Sequence, residues 1–421
     1  MSYLGYSNSA HKKALFIAFH FPPIQGSTGV IRTLSFVNYL INYGWTPAVM
    51  SVLPFVYEKK NENNSSLLRK EVRLFRSIAF DAKTHFSFFK KYPDFLGLPD
   101  RWQSWIFFAF FDYFIRVKKW KPNVVISTYP IASAHWIGFF IHRLTGVPWV
   151  VDLRDPMTQD GFPQDKLVYK SHLKLENKIF KHASLVIFTT QGTRSLYKQK
   201  YPMYPENRLL VISNGYDEDI FPKYVSTGGL RDTSVLKILH SGSLHLEERN
   251  PYYFFKALSD LIKNNELSFK VEVIFRAAEN HSVYEKMVNE LDLMDTVYFL
   301  PPLSYIEAAS ELTSTDLLLL LQGDASKFQI PAKTYEYFYA RKPILALTDP
   351  SSDTGILLND LGYTCIANIN DKDSIKSKII QCINSIDDEY KSLPPREKIS
   401  KYSRRELTRK LANELDALIH K

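Results

Sequence analysis

Short apolar runs alternate with amphipathic helical stretches along most of this chain, in two successive series. In the first, Ala14–Phe19 reads as a strand and a Pro/Gly loop follows. Val30, Leu34, Val37 and Ile41 then recur at 4-3-4 spacing until Gly44 ends the helix. Pro47–Leu53, Val124–Ser127 and Trp149–Leu153 are further strands, with a helix over Ala132–Leu144 between the last two. The second series has strands at Leu236–His240, Lys270–Phe275, Val297–Leu300, Leu317–Leu321, Ile344–Leu347 and Thr364–Ile366. Helices such as Pro251–Lys263 and Val283–Leu291 separate them. Strand–helix–strand alternation at this pitch predicts parallel, doubly wound sheets. The expected fold class is α/β, with two Rossmann-like domains facing a central cleft at the carboxyl ends of their strands.

A chain of 421 residues suits two domains better than one core. The turn signal at Asn214-Gly215, after the strand Leu209–Ile212, divides it into domains 1–213 and 214–393. Residues 394–421 read as a charged amphipathic helix carrying Leu407, Leu411, Leu415 and Leu418, expected to pack back on the amino-terminal domain. Residues 56–120 break the rhythm and read as an insertion rich in aromatic and basic residues.

Composition narrows the function classes. The apolar fraction of 45% and charged fraction of 23% are those of an ordinary globular protein. Ala14–Phe21 is too short for a signal peptide and runs into Pro22-Pro23, and no apolar stretch is long enough to span a membrane. Two cysteines, Cys365 and Cys382, match no metal or redox spacing, and the expected compartment is the cytoplasm. The net charge of +9 is uneven: residues 1–215 hold 28 Lys+Arg against 13 Asp+Glu. That basic half can meet an anionic membrane surface or a lipid diphosphate, or can simply be solvated. The insertion sets aromatic runs such as Phe86–Lys91 and Trp105–Phe111 among basic residues, which suits a lipid-headgroup boundary; residues 102–117 suit a buried core helix equally. No basic stripe with a reading motif points to nucleic acid.

Four places carry candidate chemistry. The first loop holds Gly26, Ser27 and Gly29 before a helix, where backbone N–H groups can face an anion. The matching loop of the second series holds Gly242, Ser243 and, before a proline-started helix, Arg249, which can fork onto a diphosphate. The segment Ile330–Pro343 places Lys333 and Glu336 three apart on one helical face, as a donor grip or a surface ion pair. Asp152, Arg154 and Asp155 cluster at a strand's carboxyl end and are candidate catalytic groups. An internal Asp152–Arg154 ion pair and a turn role for Asp155 are the structural alternatives. His135, one turn into a helix, is a further catalytic candidate or a packing residue.

These residues carry a resemblance. The opening Phe19-His-Phe-Pro-Pro with Gly26, Ser27, Gly29 and Arg32 resembles that of retaining, GT-B-fold glycosyltransferases of family 4. So do Leu98–Trp102, Ser133–His135, Val150–Pro156 and the Pro-x-Lys-x-x-Glu-Tyr helix, in order over about residues 14 to 370. The resemblance implies a bacterial surface-polysaccharide or lipid-linked glycan enzyme with a nucleotide diphosphate sugar as donor, a glycan or lipid-diphosphate-linked acceptor, no cofactor and no metal. It implies a cytoplasmic site of action, at the inner face of the cytoplasmic membrane where the acceptor is lipid-linked. It gives Glu336 the ribose, Arg249 and Lys333 the diphosphate, and Gly26, Ser27 and Gly29 a loop closing on the donor. Two positions depart from the pattern: Phe328 stands where the family's first glutamate falls, and Arg276–Glu279 replaces a glycine-rich turn. A sugar-nucleotide epimerase of the same fold and a non-catalytic member of a polysaccharide assembly complex are the alternatives.

Overall fold

The computed structural model describes residues 12–25, 28–85, 97–219, 235–278 and 281–420. It falls into two compact units, residues 1–213 with 404–421, and residues 214–403.

The first unit is built on a seven-stranded parallel sheet. Its strands are β1 (Lys12–Ile17), β2 (Trp45–Val52), β3 (Arg73–Ser77), β4 (Val124–Thr128), β5 (Trp149–Arg154), β6 (Leu185–Phe188) and β7 (Leu209–Val211). They lie in the order β3-β2-β1-β4-β5-β6-β7. Every residue of β4, β5 and β6 is buried, because helices cover both faces of a parallel sheet and leave no polar side to alternate with.

The second unit has β8 (Val235–Ser241), β9 (Lys270–Arg276), β10 (Val297–Leu300), β11 (Leu317–Leu321), β12 (Ile344–Leu347) and β13 (Ile366–Ala367). Their order is β10-β9-β8-β11-β12-β13, again parallel. The five leucines of β11 are wholly buried beside β8, so whatever follows these two strands emerges in the middle of the sheet edge.

The 56–120 stretch is more than an insertion. It supplies β3, which pairs with β2 at the sheet edge, and a helix whose Trp105, Ala109, Tyr113 and Val117 enter the core. Phe86–Lys91 lies outside the described residues.

The tail after Pro394 is not one helix. A short turn of helix, Arg396–Ser400, keeps Ile399 in the second unit's core, and a separate helix spans Arg404–Ile419. That helix buries Leu407, Leu411 and Leu415 with Leu34, Val37 and Leu40 of the Thr28–Leu40 helix. Its Asp416 carboxylate also accepts from Lys12 at 2.7 Å and Trp45 Nε1 at 3.0 Å.

Candidate functional site

In the second unit the candidate residues meet where β8 and β11 end. Gly242 follows β8 with φ of +123°, and a Cβ there would come within 2.7 Å of Lys333 Nζ. Only glycine satisfies both demands. Lys333 rises from the first turn of the Ala332–Ala340 helix and donates to His240 Nε2 at 3.3 Å. His240 Nδ1 in turn donates to the Leu319 carbonyl at 2.9 Å, which sets the tautomer. Burial, then the Lys333 charge, hold His240 well below the usual histidine range. Burial also brings Lys333 down to about 7, helped by Arg249 and opposed by Glu336.

Among the described residues Arg249, half-buried, reaches only the Ser243 carbonyl with its side chain, at 3.5 Å. Glu336 stands one turn along the helix from Lys333 and accepts the Tyr305 hydroxyl at 2.6 Å. Among the described residues Lys333 and Glu336 form no ion pair with each other; each has its own partner. The loop leading to the helix is pinned from behind, since Gln322 Nε2 donates to the Ser326 and Gln329 carbonyls at 2.7 and 2.8 Å. The arrangement is a patch of positive groups with a carboxylate at its side. It suits an anion bearing a diol.

Two departures acquire shapes. Phe328 is half-buried in that loop, with Lys327 Nζ 4.9 Å from its ring centroid. In the Arg276 turn, Ala277 takes φ of +61°, the left-handed region that makes glycine the usual choice. Arg276 itself forks onto the Glu311 carboxylate at 2.5 and 3.0 Å and reaches the Pro301 carbonyl at 2.9 Å, so its charge is already met. Glu279 lies outside the described residues. An open recess of about 660 Å³ is lined by Leu244–Glu248 and Ser282–Tyr284; its Glu247 and Glu248 do not suit a diphosphate.

In the first unit Asp152 is 3% exposed and receives Arg32 through two bonds, Nε at 3.1 Å and Nη2 at 3.0 Å. Thr128 adds a third at 3.1 Å, and Arg32 also holds the Ser213 carbonyl at 2.7 Å. The internal pair is therefore Asp152–Arg32, not Asp152–Arg154. Arg154 sits on a bulge with φ of +62° and donates to the Tyr129 carbonyl at 2.9 Å. Asp155 is part-exposed, and desolvation raises its carboxyl despite the neighbouring arginines.

His135 is fully buried, bonded through Nδ1 to Ser127 at 2.8 Å, and held down to about 3 by burial. A neutral ring shut in the core fits the packing reading. Gly29 lies in the first turn of its helix against Arg154; Gly26 and Ser27 lie outside the described residues.

Three contributors escaped the sequence. His240 was visible in the run His240–Ser243, and His20 in the Phe19-His opening, where it now lines a pocket with Arg154. The loop Leu303–Tyr305 could be read as a place for base selection, but that Tyr305 meets Glu336 could not, because the two are 31 residues apart.

Residues 90–215 match the family model of the Glycosyl transferase 4-like domain. No curated protein matches the chain by sequence. Solved structures match it almost end to end. HepE of Anabaena, in complex with UDP and glucose, superposes with a TM-score of 0.64 at 15% identity, covering 97% of this chain and 100% of that one. A sucrose-phosphate synthase of Thermosynechococcus elongatus gives 0.67 at 13% identity, covering 97% and 99%. The fold is GT-B. It is shared with a further chain of different chemistry, a putative UDP-N-acetylglucosamine 2-epimerase of Listeria monocytogenes, at 0.58 and 11% identity, covering 96% and 95%.

Proposed function

We propose that this chain is a glycosyltransferase that moves a sugar from a uridine diphosphate sugar to a glycan or lipid-linked acceptor, with retention of configuration and without a metal ion. The observation that carries the reading is the pair of positive groups around Gly242, Lys333 and Arg249, which among the described residues meet only a neutral ring and a carbonyl and no carboxylate, with Glu336 one helical turn from Lys333. Arg249 and Lys333 would face the diphosphate, and Glu336 would accept the ribose hydroxyls. The glycosyl transferase 4-like match over residues 90–215 supports the class. The complexes of HepE with UDP and with UDP-glucose support the uridine nucleotide.

Negative charge grows on the diphosphate as the sugar departs, and Lys333 is suited to meet it. Its pKa of about 7 rises when an anion arrives, so the ammonium is completed by the substrate. With phenylalanine at 328, a donor phosphate oxygen is the base this reading assigns to the acceptor hydroxyl. Asp152, Arg154 and Asp155 belong to the acceptor side, where Asp152 holds Arg32 and shapes the strand end.

A lipid-linked acceptor at an anionic membrane face is supported by the surface of the helix from Ser104. Phe107, Phe111 and Ile115 are 60%, 48% and 63% exposed and four residues apart, so they form one stripe. Phe140 and Leu144 of the adjoining helix extend it, and Arg116, Lys118, Lys119 and Arg143 stand exposed around it. Apolar side chains ringed by cations fit a headgroup boundary. Among the described residues no helix is long and apolar enough to cross a membrane.

A panel of nucleotide sugars, read by thermal stabilisation and by hydrolysis, tests the proposal. Uridine nucleotides are expected to stabilise the protein, and stabilisation by no nucleoside diphosphate would sink it. The epimerase reading, favoured by the fold shared with the Listeria chain, predicts interconversion of a UDP-amino sugar with no acceptor present.

A further inference from the structure

Glu336 is the carboxylate beside the second unit's positive groups, and what holds it is a neutral donor. It is half-buried and, among the described residues, forms no ion pair: Lys333 acts on it through space and bonds His240 instead. Its hydrogen-bond partner is the Tyr305 hydroxyl, which donates to Oε1 at 2.6 Å. An O–H···O⁻ bond this short belongs to the strong, charge-assisted class. A lysine or arginine in that place would neutralise the carboxylate. A phenol fixes its orientation and leaves the charge for a ligand.

The tyrosine is itself firmly mounted. It is the first residue of the Tyr305–Ser314 helix, whose start is closed by a capping box. Ser304 Oγ accepts from the Glu307 N–H at 3.3 Å, and Glu307 Oε2 accepts from the Ser304 N–H at 2.9 Å. Further along, Glu311 takes the Arg276 fork, and the same guanidinium holds the Pro301 carbonyl just before the helix. The helix is thereby tied to the end of β9 on both sides of Tyr305, which offers its hydroxyl to Glu336 from a rigid base.

A carboxylate has about four lone-pair positions, and Tyr305 takes one on Oε1. What remains is Oε2 with the second lone pair of Oε1, which matches two hydroxyls on neighbouring carbons, one to each oxygen. A carboxylate free to turn could serve a single hydroxyl nearly as well. A pinned one keeps an oxygen that only the second hydroxyl satisfies. Sites built around a particular hydroxyl reject the analogue lacking it, because a buried polar group is then left unpaired.

We propose that Tyr305 makes this site select ribonucleoside over 2′-deoxyribonucleoside diphosphate donors, by holding Glu336 in the orientation that needs both ribose hydroxyls. The inference rests on the reading that Glu336 takes the ribose. Tyr305 acts through Glu336, so it is a positioning residue.

UDP and 2′-deoxyuridine diphosphate are the probes, titrated calorimetrically into the full-length wild type, Tyr305→Phe, Glu336→Ala and the double variant. The two nucleotides share base and diphosphate, so the ratio of their affinities reports the 2′-hydroxyl alone. The wild type is expected to prefer UDP by about tenfold. Tyr305→Phe keeps the ring and should narrow that preference to about threefold or less, by weakening UDP while leaving the deoxy nucleotide and Tm unchanged. In the Glu336→Ala chain the same substitution should change neither affinity. If Glu336→Ala abolishes the preference while Tyr305→Phe leaves it intact, or weakens both nucleotides alike, the inference is overturned and the ribose role of Glu336 stands. A wild type with no preference, or one whose preference survives Glu336→Ala, would remove the ribose role itself and the inference with it.

Discussion

Arg32 and Lys333 are both cations at the carboxyl end of a central parallel strand, and they are provided for in opposite ways. Arg32, 2% exposed, has a bidentate carboxylate and a carbonyl, so each of its guanidinium nitrogens has a partner within the protein. Lys333 faces a neutral histidine and a second cation, Arg249, and its nearest carboxylate is engaged by a tyrosine. A cation matched internally serves as a mount. One kept unmatched, at a cost in desolvation, is held for a ligand.

The contrast can be broken most forcefully at Asp152. Asp152→Ala leaves Arg32 buried and uncompensated, and a stability loss of about 3–5 kcal/mol is expected by denaturant titration. A loss under 1 kcal/mol would mean that Arg32 is no mount. Lys333→Met should behave in the opposite sense, weakening UDP by roughly a hundredfold in calorimetry while melting no lower than the parent. The sign follows from its lowered pKa: at neutral pH a folded chain with Lys333 near 7 has given up protonation energy that the unfolded chain, near 10.5, retains. Removing the amine removes that penalty.

The same shift predicts a pH dependence. Because anion binding raises the Lys333 pKa, UDP affinity should be flat below about pH 7 and fall by up to about tenfold per unit above it. A profile flat from pH 6 to 9 would place the binding charge elsewhere. Glu336→Ala should cost about tenfold in UDP affinity and nothing in pyrophosphate affinity, since only the ribose contact is lost. The smallest effect is expected at the aromatic stripe. Phe107→Ser with Phe111→Ser should reduce binding to anionic vesicles several-fold in a sedimentation assay without changing UDP affinity.

Much of this was legible in the chain. Eleven strands were readable, most plainly those buried on both faces and apolar at every position, as Leu317–Leu321 is. The strand β3 stayed hidden because it lies at the sheet edge, where Arg73 and Arg76 are tolerated and the apolar run breaks. The strand β6 was overlooked although Leu185–Phe188 is as short and as apolar as β12, which was read. Lys333 and Glu336 could be paired by helical spacing, but whom they meet could not. His240 is 93 residues from Lys333, and Arg32 is 120 from Asp152. Sequence periodicity reports the face of an element; it carries no account of which distant charge that face will find.

The two places where the chain passes between units lie side by side, since Tyr216 pairs with Ser403 and its N–H donates to the Tyr402 carbonyl at 3.1 Å. During synthesis this inverts the usual order, in which the domain made first is finished first. The Thr28–Leu40 helix leaves the ribosome early, yet the leucines that cover its outer face are in the Arg404–Ile419 helix, nearly four hundred residues later. The second unit can close while the first is still waiting. A nascent chain halted before residue 404 would therefore display an uncovered greasy seam, and the last helix to emerge acts as the clasp on the first domain begun.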